Sequence, residues 1–289
     1  MTPDKLAKEI EPLVENEFCQ RLFQASIKNV KDFTNPLRVN NFSYSLRGLI
    51  DNMLAQLAPA DEIKKCIWFD DDVHTYERNG ILVPNRLSQI KYAIQAGLDD
   101  EFLLTELDID IEARVKKLLN VYSKFNKYTH ITEKTFDVSA VKATVIIEES
   151  LTAVLKFLRL IKEIKKELYS NLEQKVFDTV RLQSTLESVG SLDEIASHYS
   201  IDSIYLENFK IKSIDSTFIV VEAEGSISVV HQWGSNADLN NGDGLEIDHS
   251  HPFVSKISFL CDDPKDWDMD ESSFEVDTSD WYDGYYDFS

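Results

Sequence analysis

The hydrophobic pattern of this 289-residue chain changes once, near Gly190, and that change determines the predicted fold class. Before it, apolar residues recur every three or four positions, which is the period of an amphipathic helix. After it, segments such as STFIVVEAEGSISVVHQW (216–233) alternate or form short β-branched runs, which is typical of strands. The pattern predicts an α+β protein with an N-terminal helical bundle (1–187) and a small antiparallel β-sheet domain (190–289).

The balance of charge changes at the same place. Residues 1–188 carry 26 Lys and Arg against 29 Asp and Glu, whereas residues 189–289 carry 4 against 22. A near-neutral helical domain can still present a local basic face, but the acidic domain repels nucleic acid unless a cation or a basic partner intervenes. We therefore expect the β-domain to regulate the helical domain or to bind a partner.

The helical period predicts five helical segments. They cover about 3–32 with a break at Pro12, 39–58, 85–97, 110–128 and 138–187. In the last of these we expect Val141 and Val145 to face the core. Residues 68–84 are predicted to be a polar loop and 235–244 a turn, and the β-domain is expected to hold four or five strands. The acidic, aromatic end of the chain is predicted to be an edge strand or a docking tail.

The cysteines and the apolar segments indicate the cellular compartment of the protein. The three cysteines are far apart and match no metal spacing, which is typical of free thiols in a reducing compartment. The charged start shows no signal peptide, and charges interrupt the most apolar stretch, 141–164, too often for a membrane span. We expect a soluble, cytoplasmic protein.

The segment KFNKYTHITEKTF (124–136) contains the candidate catalytic residues. If the preceding helix continues for one more turn, Asn126, Lys127 and His130 lie on one face, away from the core stripe. An imidazole can move a proton to or from a ribose hydroxyl, an ammonium can offset phosphate charge, and an amide can hold a phosphate oxygen. The alternative is that His130 only caps the end of the helix, where a cation is favourable.

Other candidates are weaker because each has a simple structural explanation. Arg38 and Arg47 would add positive charge near Asn126, Lys127 and His130 and bind substrate. Alternatively, Arg47 would form a surface ion pair. Arg86 and Lys91 are expected to be solvated. Metal ligands were considered at two places, the acidic DDDVH (70–74) and the three histidines His231, His249 and His251. Neither has a fixed ligand spacing, so we expect no metal site and no cofactor.

Several blocks resemble the predicted pPIWI-associating nuclease family. They are NPLRVNNFSYSLRGLIDNML, RLSQIKYAIQAGL, FNKYTHITEKTF and EGSISVVHQWGSNAD, and the similarity runs from about 34 to 282. The resemblance implies nuclease activity in a bacterial conflict or antiphage setting. The helical part of that family is in turn similar to HEPN domains, which are metal-independent ribonucleases that usually work as dimers.

The HEPN resemblance assigns roles to the residues at the end of the helix. HEPN domains carry Arg-x4–6-His there, often with Asn after the Arg, and Asn126 and His130 match the Asn and the His. Phe125 occupies the Arg position, so Lys124 or Lys127 would supply the cation, without the bidentate geometry of arginine. The resemblance predicts an RNA-cleaving homodimer with a defence partner at its β-domain. The alternative is a non-enzymatic interaction module of a defence complex.

Overall fold

The computed structural model describes residues 2–186 and 189–283, except for the side chains of Val121, Lys124, Phe125 and Asp283. The chain divides into two compact units, Met1–Glu167 and Leu168–Ser289. The first unit is helical, and the second is built on a four-stranded antiparallel sheet. This confirms the predicted α+β class with the helices first.

Eight helices of the described part lie within the first unit. They are α1 (Pro3–Ile10), α2 (Glu17–Lys31), α3 (Arg38–Leu57), α4 (Ala60–Ile63), α5 (Asp71–His74), α6 (Arg86–Gln95), α7 (Asp100–Thr105) and α8 (Ile111–Thr129). A 3₁₀ turn, Glu11–Leu13, separates α1 from α2. This confirms the break at Pro12, where the missing N–H and the fixed ring do not suit a helix interior.

The segment 68–84, predicted to be a polar loop, is instead folded. It contains α5 and a hairpin formed by β1 (Thr75–Arg78) and β2 (Ile81–Pro84). The two residues between the strands, Asn79 and Gly80, have φ of 53° and 78°. A two-residue hairpin turn requires positive φ at both positions, and Asn-Gly is a favoured pair for it. The loop prediction was wrong because each strand is only four residues long.

The longest helix, α9 (Ala140–Leu186), continues from the first unit into the second. Its buried stripe in the first unit includes Ala143, Ile147 and Leu151, which are 0–3% exposed. Val141 and Val145 are 79% and 49% exposed, so the expectation that they face the core was wrong. Positions two residues from the stripe point to the opposite side of a helix, because each residue turns the helix by about 100°.

The sheet of the second unit has the strand order β3-β4-β5-β6. Its strands are β3 (His198–Ile214), β4 (Phe218–Trp233), β5 (Leu245–Leu260) and β6 (Trp267–Val276). The end of α9 packs on one face, where the Tyr169 ring stacks on Phe209 at 4.1 Å and Ser255 donates a 2.6 Å hydrogen bond to Gln183. Gly225 allows β3 to bulge toward β4, since a Cβ there would lie 2.1 Å from the Tyr205 carbonyl oxygen.

Short helices connect or follow the strands. They are α10 (Gly190–Asp193), α11 (Asn236–Asn241) and α12 (Ser279–Asp283). Helix α11 occupies the predicted turn at 235–244, because Ser235 and Asp238 form a capping box and Gly242 ends the helix at φ 84°. The predicted docking tail is helical over α12, and its remainder, 284–289, lies outside the described residues.

The division between the two units falls between Glu167 and Leu168, within the residue range of α9, whereas the hydrophobic period changes after the end of that helix. The domain boundary near 187–190 therefore stays a prediction about where the folded parts can be separated. In the part of the chain that the structure describes, no helix combines the length and the apolar character needed to cross a membrane.

Candidate active site

The end of α8 is defined by a threonine that follows it. The Thr135 hydroxyl donates a 2.7 Å hydrogen bond to the His130 carbonyl oxygen and accepts one of 2.8 Å from the Thr132 amide. Thr135 is 2% exposed, so a buried side chain holds the turn formed by residues 130–135. The helix ends at Thr129, and His130 has extended backbone angles of −99° and 122°. The extra helical turn that would put His130 on one face with Asn126 and Lys127 is absent, so His130 follows the helix and does not extend that face.

The predicted catalytic residues differ in exposure. The side chains of Lys127 and His130 are exposed, and within the described residues neither makes a hydrogen bond or an ion pair. Asn126 is half-buried, and its Oδ1 is buried without a hydrogen-bond partner. Lys124, the other proposed cation, has its side chain outside the described residues. At the end of α8 the structure thus places an imidazole and an ammonium that have no hydrogen-bond or ion-pair partner among the described residues, close along the chain to a partly buried amide.

The N-terminal end of α3 is bonded to the C-terminal end of α8. Asn40 Nδ2 donates a 2.9 Å hydrogen bond to the Tyr128 carbonyl oxygen, one of the last carbonyls of α8 that has no partner within its own helix. Asn40 Oδ1 and the hydroxyl of Ser43, one turn further along α3, are buried without partners. Together with Asn126 Oδ1 they make three unsatisfied polar atoms at the α3–α8 contact, and such groups call for a water or a ligand.

A charged network lies further along the same contact. Asp51 accepts a 2.7 Å hydrogen bond from the Tyr122 hydroxyl and forms ion pairs with Arg86 at 2.7 Å and Arg47 at 3.6 Å. The Arg86 guanidinium also lies 4.8 Å from the centre of the Tyr122 ring. Burial, followed by the hydrogen bond to Asp51, raises the pKa of Tyr122. The network therefore joins α3, α6 and α8 through one carboxylate.

The sequence blocks that meet in this network also match family models. Residues 11–154 and residues 161–282 each match a model described as predicted pPIWI-associating nuclease. The chain belongs to the predicted pPIWI-associating nuclease family. Comparisons with curated proteins and with solved structures found no match.

In this predicted pPIWI-associating nuclease, two of the arginines singled out in the sequence already have partners. Arg47 pairs with Asp51, and Arg38, only 9% exposed, places its guanidinium 4.8 Å from the Phe33 ring centre. Arg38 is in the first turn of α3, two residues before Asn40 and therefore on the opposite side of the helix, where it lines a groove with Lys31, Phe33 and Thr144. Arg47 is two turns further along α3 and contributes to the network instead.

Sequence reasoning missed several residues of this site. Arg86 and Lys91 were expected to be solvated, but both have partners in the protein. Arg86 forms an ion pair with Asp51. Lys91 forms a 2.6 Å ion pair with Asp100, and its Nζ lies 4.5 Å from the centre of the Trp68 ring. Tyr122 is a buried aromatic residue of α8, and its hydroxyl is part of the network. The only available signal was helical spacing, which puts Asn40, Ser43, Arg47 and Asp51 on one stripe of α3.

The two segments considered for metal binding have structural explanations. Asp70 caps α5, and its amide donates a 2.9 Å hydrogen bond to His74 Nδ1, which fixes DDDVH as a local turn. In the sheet, His231 and His251 are fully buried with their Nε2 atoms 2.9 Å apart, and the His249 ring is 4.5 Å from that of His251. Across residues 2–186 and 189–283, no group of three His, Cys, Asp or Glu side chains is arranged to hold a metal ion.

Proposed function

We propose that this protein is a metal-independent endoribonuclease of a bacterial antiphage or toxin-type conflict system, with its active site at the end of α8. The family supports nuclease activity. The observation that carries the finer proposal is the exposed pair of Lys127 and His130, whose side chains form no hydrogen bond or ion pair with the described residues, next to the half-buried Asn126. A proton-transfer group and a cation without such a partner among the described residues are available to an RNA backbone.

The proposed reaction is an internal transfer at phosphorus. His130 removes the proton of a ribose 2′-hydroxyl, whose oxygen forms a bond to the adjacent phosphorus while the bond to the 5′-oxygen breaks. The leaving oxygen takes a proton from the imidazolium or from water, so the products are a 2′,3′-cyclic phosphate and a 5′-hydroxyl. Lys127 offsets the charge that develops on the phosphate, and the Asn126 amide nitrogen donates to a phosphate oxygen.

Flanking contacts complete the proposal. Lys124 would bind a neighbouring phosphate at the end of α8, Arg38 would bind one further along the RNA, and Arg47 would do so if RNA displaced it from Asp51. Arginine forms two parallel hydrogen bonds to a phosphate and lysine does not, so Lys124 or Lys127 would replace only the charge that is lost by having Phe125 where the related ribonucleases carry arginine. We further propose a cytoplasmic homodimer, which light scattering of the purified chain would test.

The test is RNA cleavage by His130→Ala. We expect a loss of roughly 10²- to 10⁴-fold in rate, which is the usual contribution of a positioned acid or base. His130 is exposed, so its truncation should change the free energy of unfolding by no more than about 0.5 kcal/mol. His198→Ala, which removes another exposed histidine, is the matched control and should cleave like the wild type.

One set of observations favours a second function, a non-enzymatic interaction module. Phe125 occupies the position of the usual arginine, and Arg47 and Arg86 both pair with Asp51, which offsets one of their two positive charges. A site with few unpaired Lys and Arg side chains binds RNA weakly, because little phosphate charge is neutralised. If neither the wild type nor His130→Ala cleaves any RNA, while His130→Ala has a lower melting temperature, the histidine is a helix cap and this second function replaces the first.

A further inference from the structure

The second unit has an open groove at one end of its sheet. The groove has a volume of about 520 Å³, and its lining is aromatic and aliphatic with one carboxylate: Glu194, Ile195, Trp233, Leu245, Ile247, Trp281 and Tyr282. The rings of Trp233 and Trp281 are 6.0 Å apart with 23° between their planes. Two nearly parallel indoles therefore form part of its wall.

Both indoles are fixed by their surroundings. Trp233 Nε1 donates a 3.1 Å hydrogen bond to the Ile195 carbonyl oxygen, which orients the ring. Trp281 packs against the histidines of β4 and β5, at 5.0 Å from His231 and 5.2 Å from His249 between ring centres. A ligand entering this groove would meet rings that need little further ordering, which lowers the entropic cost of binding.

The described chain does not cover the apolar side of the groove. Leu245 is 55% exposed, Tyr282 is 44% exposed and Ile247 is 37% exposed. A contiguous exposed apolar surface with rigid aromatic rings is typical of a binding site rather than of a solvated face.

The charge around the groove selects the class of ligand. The second unit, residues 168–289, carries 25 Asp and Glu against 6 Lys and Arg. Glu194 contributes a carboxylate to the groove itself. Phosphate groups are repelled by such a surface, which disfavours nucleic acid, whereas a basic peptide is attracted to it. Indole faces bind guanidinium and ammonium groups through their negative π-electron density.

We propose that this groove binds a basic segment of a partner protein, with an arginine or lysine side chain against Trp233 and Trp281 and its charge next to Glu194. The aromatic rings supply the affinity, and the acidic unit attracts the partner. The proposal concerns the second unit alone and does not depend on RNA cleavage by the first.

The test is a binding titration of the full chain with a fluorescently labelled synthetic peptide of alternating arginine and glycine. Replacing arginine by glutamate in the peptide should abolish binding, and added salt should weaken it. Trp281→Ala should weaken binding by about tenfold or more, and Trp281→Phe should restore most of the loss. Glu194→Gln should weaken it to a smaller degree.

The matched control is Tyr205→Ala, which removes an aromatic ring that is 67% exposed on β3 of the same acidic unit. It should leave the affinity unchanged. Equal losses in Tyr205→Ala and Trp281→Ala would overturn the proposal, because binding would then follow the overall charge and not the groove. No binding of the arginine peptide, or tighter binding of a single-stranded RNA that Trp281→Ala weakens, would overturn it as well. A melting curve for each variant separates lost binding from lost folding.

Discussion

At the scale of single residues, the buried polar atoms without hydrogen-bond partners at the α3–α8 contact lower the stability of the fold, which points to a functional role for them. Ser43 is 0% exposed and its hydroxyl has no hydrogen-bond partner. A buried hydroxyl without a partner is costly, so a residue of this kind is retained in a stable fold when it has another task. The same reasoning applies to the Oδ1 atoms of Asn40 and Asn126.

We predict that Ser43→Ala does not destabilise the protein and instead raises the free energy of unfolding by up to about 1 kcal/mol, because it removes an unpaired buried hydroxyl. RNA cleavage should fall if the hydroxyl holds an ordered water of the site. Chemical denaturation and a cleavage assay on the same preparation measure the two effects. Ser26→Ala is the control, because that buried hydroxyl donates to the Phe23 carbonyl oxygen and its loss should destabilise. A destabilised Ser43→Ala would show that the hydroxyl has a structural partner.

The candidate site shows how far single residues could be predicted from sequence. Asn126, Lys127 and His130 could be proposed as catalytic residues because they lie close together along the chain in a recognisable pattern. Asn40 and Asp51 could not be proposed, because their contacts depend on which helix lies opposite α3. That pairing is a long-range contact, 88 residues apart for Asn40 and Tyr128, and local periodicity contains no information about it.

At the scale of elements, long helices and strands were predicted well and short elements were not. Helix α3 was expected over 39–58 and lies at Arg38–Leu57, because its apolar stripe repeats over five turns. The β1–β2 hairpin has four-residue strands, too short to display an alternating pattern, and only the Asn79-Gly80 turn could have indicated it. Helix α9 was expected over 138–187, and it is one helix of 47 residues, Ala140–Leu186.

Strands β4 and β5 carry a buried histidine pair that links the stability of the sheet to pH. Burial, then repulsion from His249 and His231, lowers the pKa of His251 to about 4, although Asp277 and Asp280 oppose the shift. The unfolded chain, in which histidine has a pKa of about 6.5, binds more protons than the folded chain between these values. The contribution of neutral His251 is therefore fully present above pH 6.5 and is lost as the pH falls toward 4.

We predict that the sheet unit loses stability over this range with a slope of up to about 1.4 kcal/mol per pH unit for His251. His251→Gln cannot take up the proton and should show a shallower pH dependence, whatever its stability at neutral pH. Denaturation followed by tryptophan fluorescence at a series of pH values measures the slope. His198→Gln, at an exposed histidine, should keep the slope of the wild type. Equal slopes for His251→Gln and the wild type would contradict the assignment.

At the scale of the whole molecule, the near-neutral helices and the acidic sheet are two folded units on one chain. Helix α9 passes from one unit to the other at Glu167 without a break in its helical backbone. A continuous helix resists proteases better than the chain that follows it, because cleavage requires an extended backbone.

We predict that limited proteolysis cuts the chain first between 187 and 202, where the helical period ends, and not within α9. The expected products are a helical fragment that retains α9 and an acidic fragment that retains the four strands, each identified by mass spectrometry. First cleavage near Glu167 would instead show that the helix opens between the units, and the boundary predicted from the sequence would then be wrong.

The central claim is that RNA is cleaved at the end of α8 by proton transfer without a metal ion. The most direct measurement is the chemistry of the product ends after full-length protein has acted on RNA in EDTA. We predict 2′,3′-cyclic phosphate and 5′-hydroxyl ends, because the attack by the 2′-oxygen releases the 5′-oxygen and closes the cyclic phosphate. Cleavage that stops in EDTA, returns with Mg²⁺ and leaves a 5′-phosphate would contradict this mechanism, since a 5′-phosphate requires attack by water and the need for Mg²⁺ indicates that a metal ion activates that water.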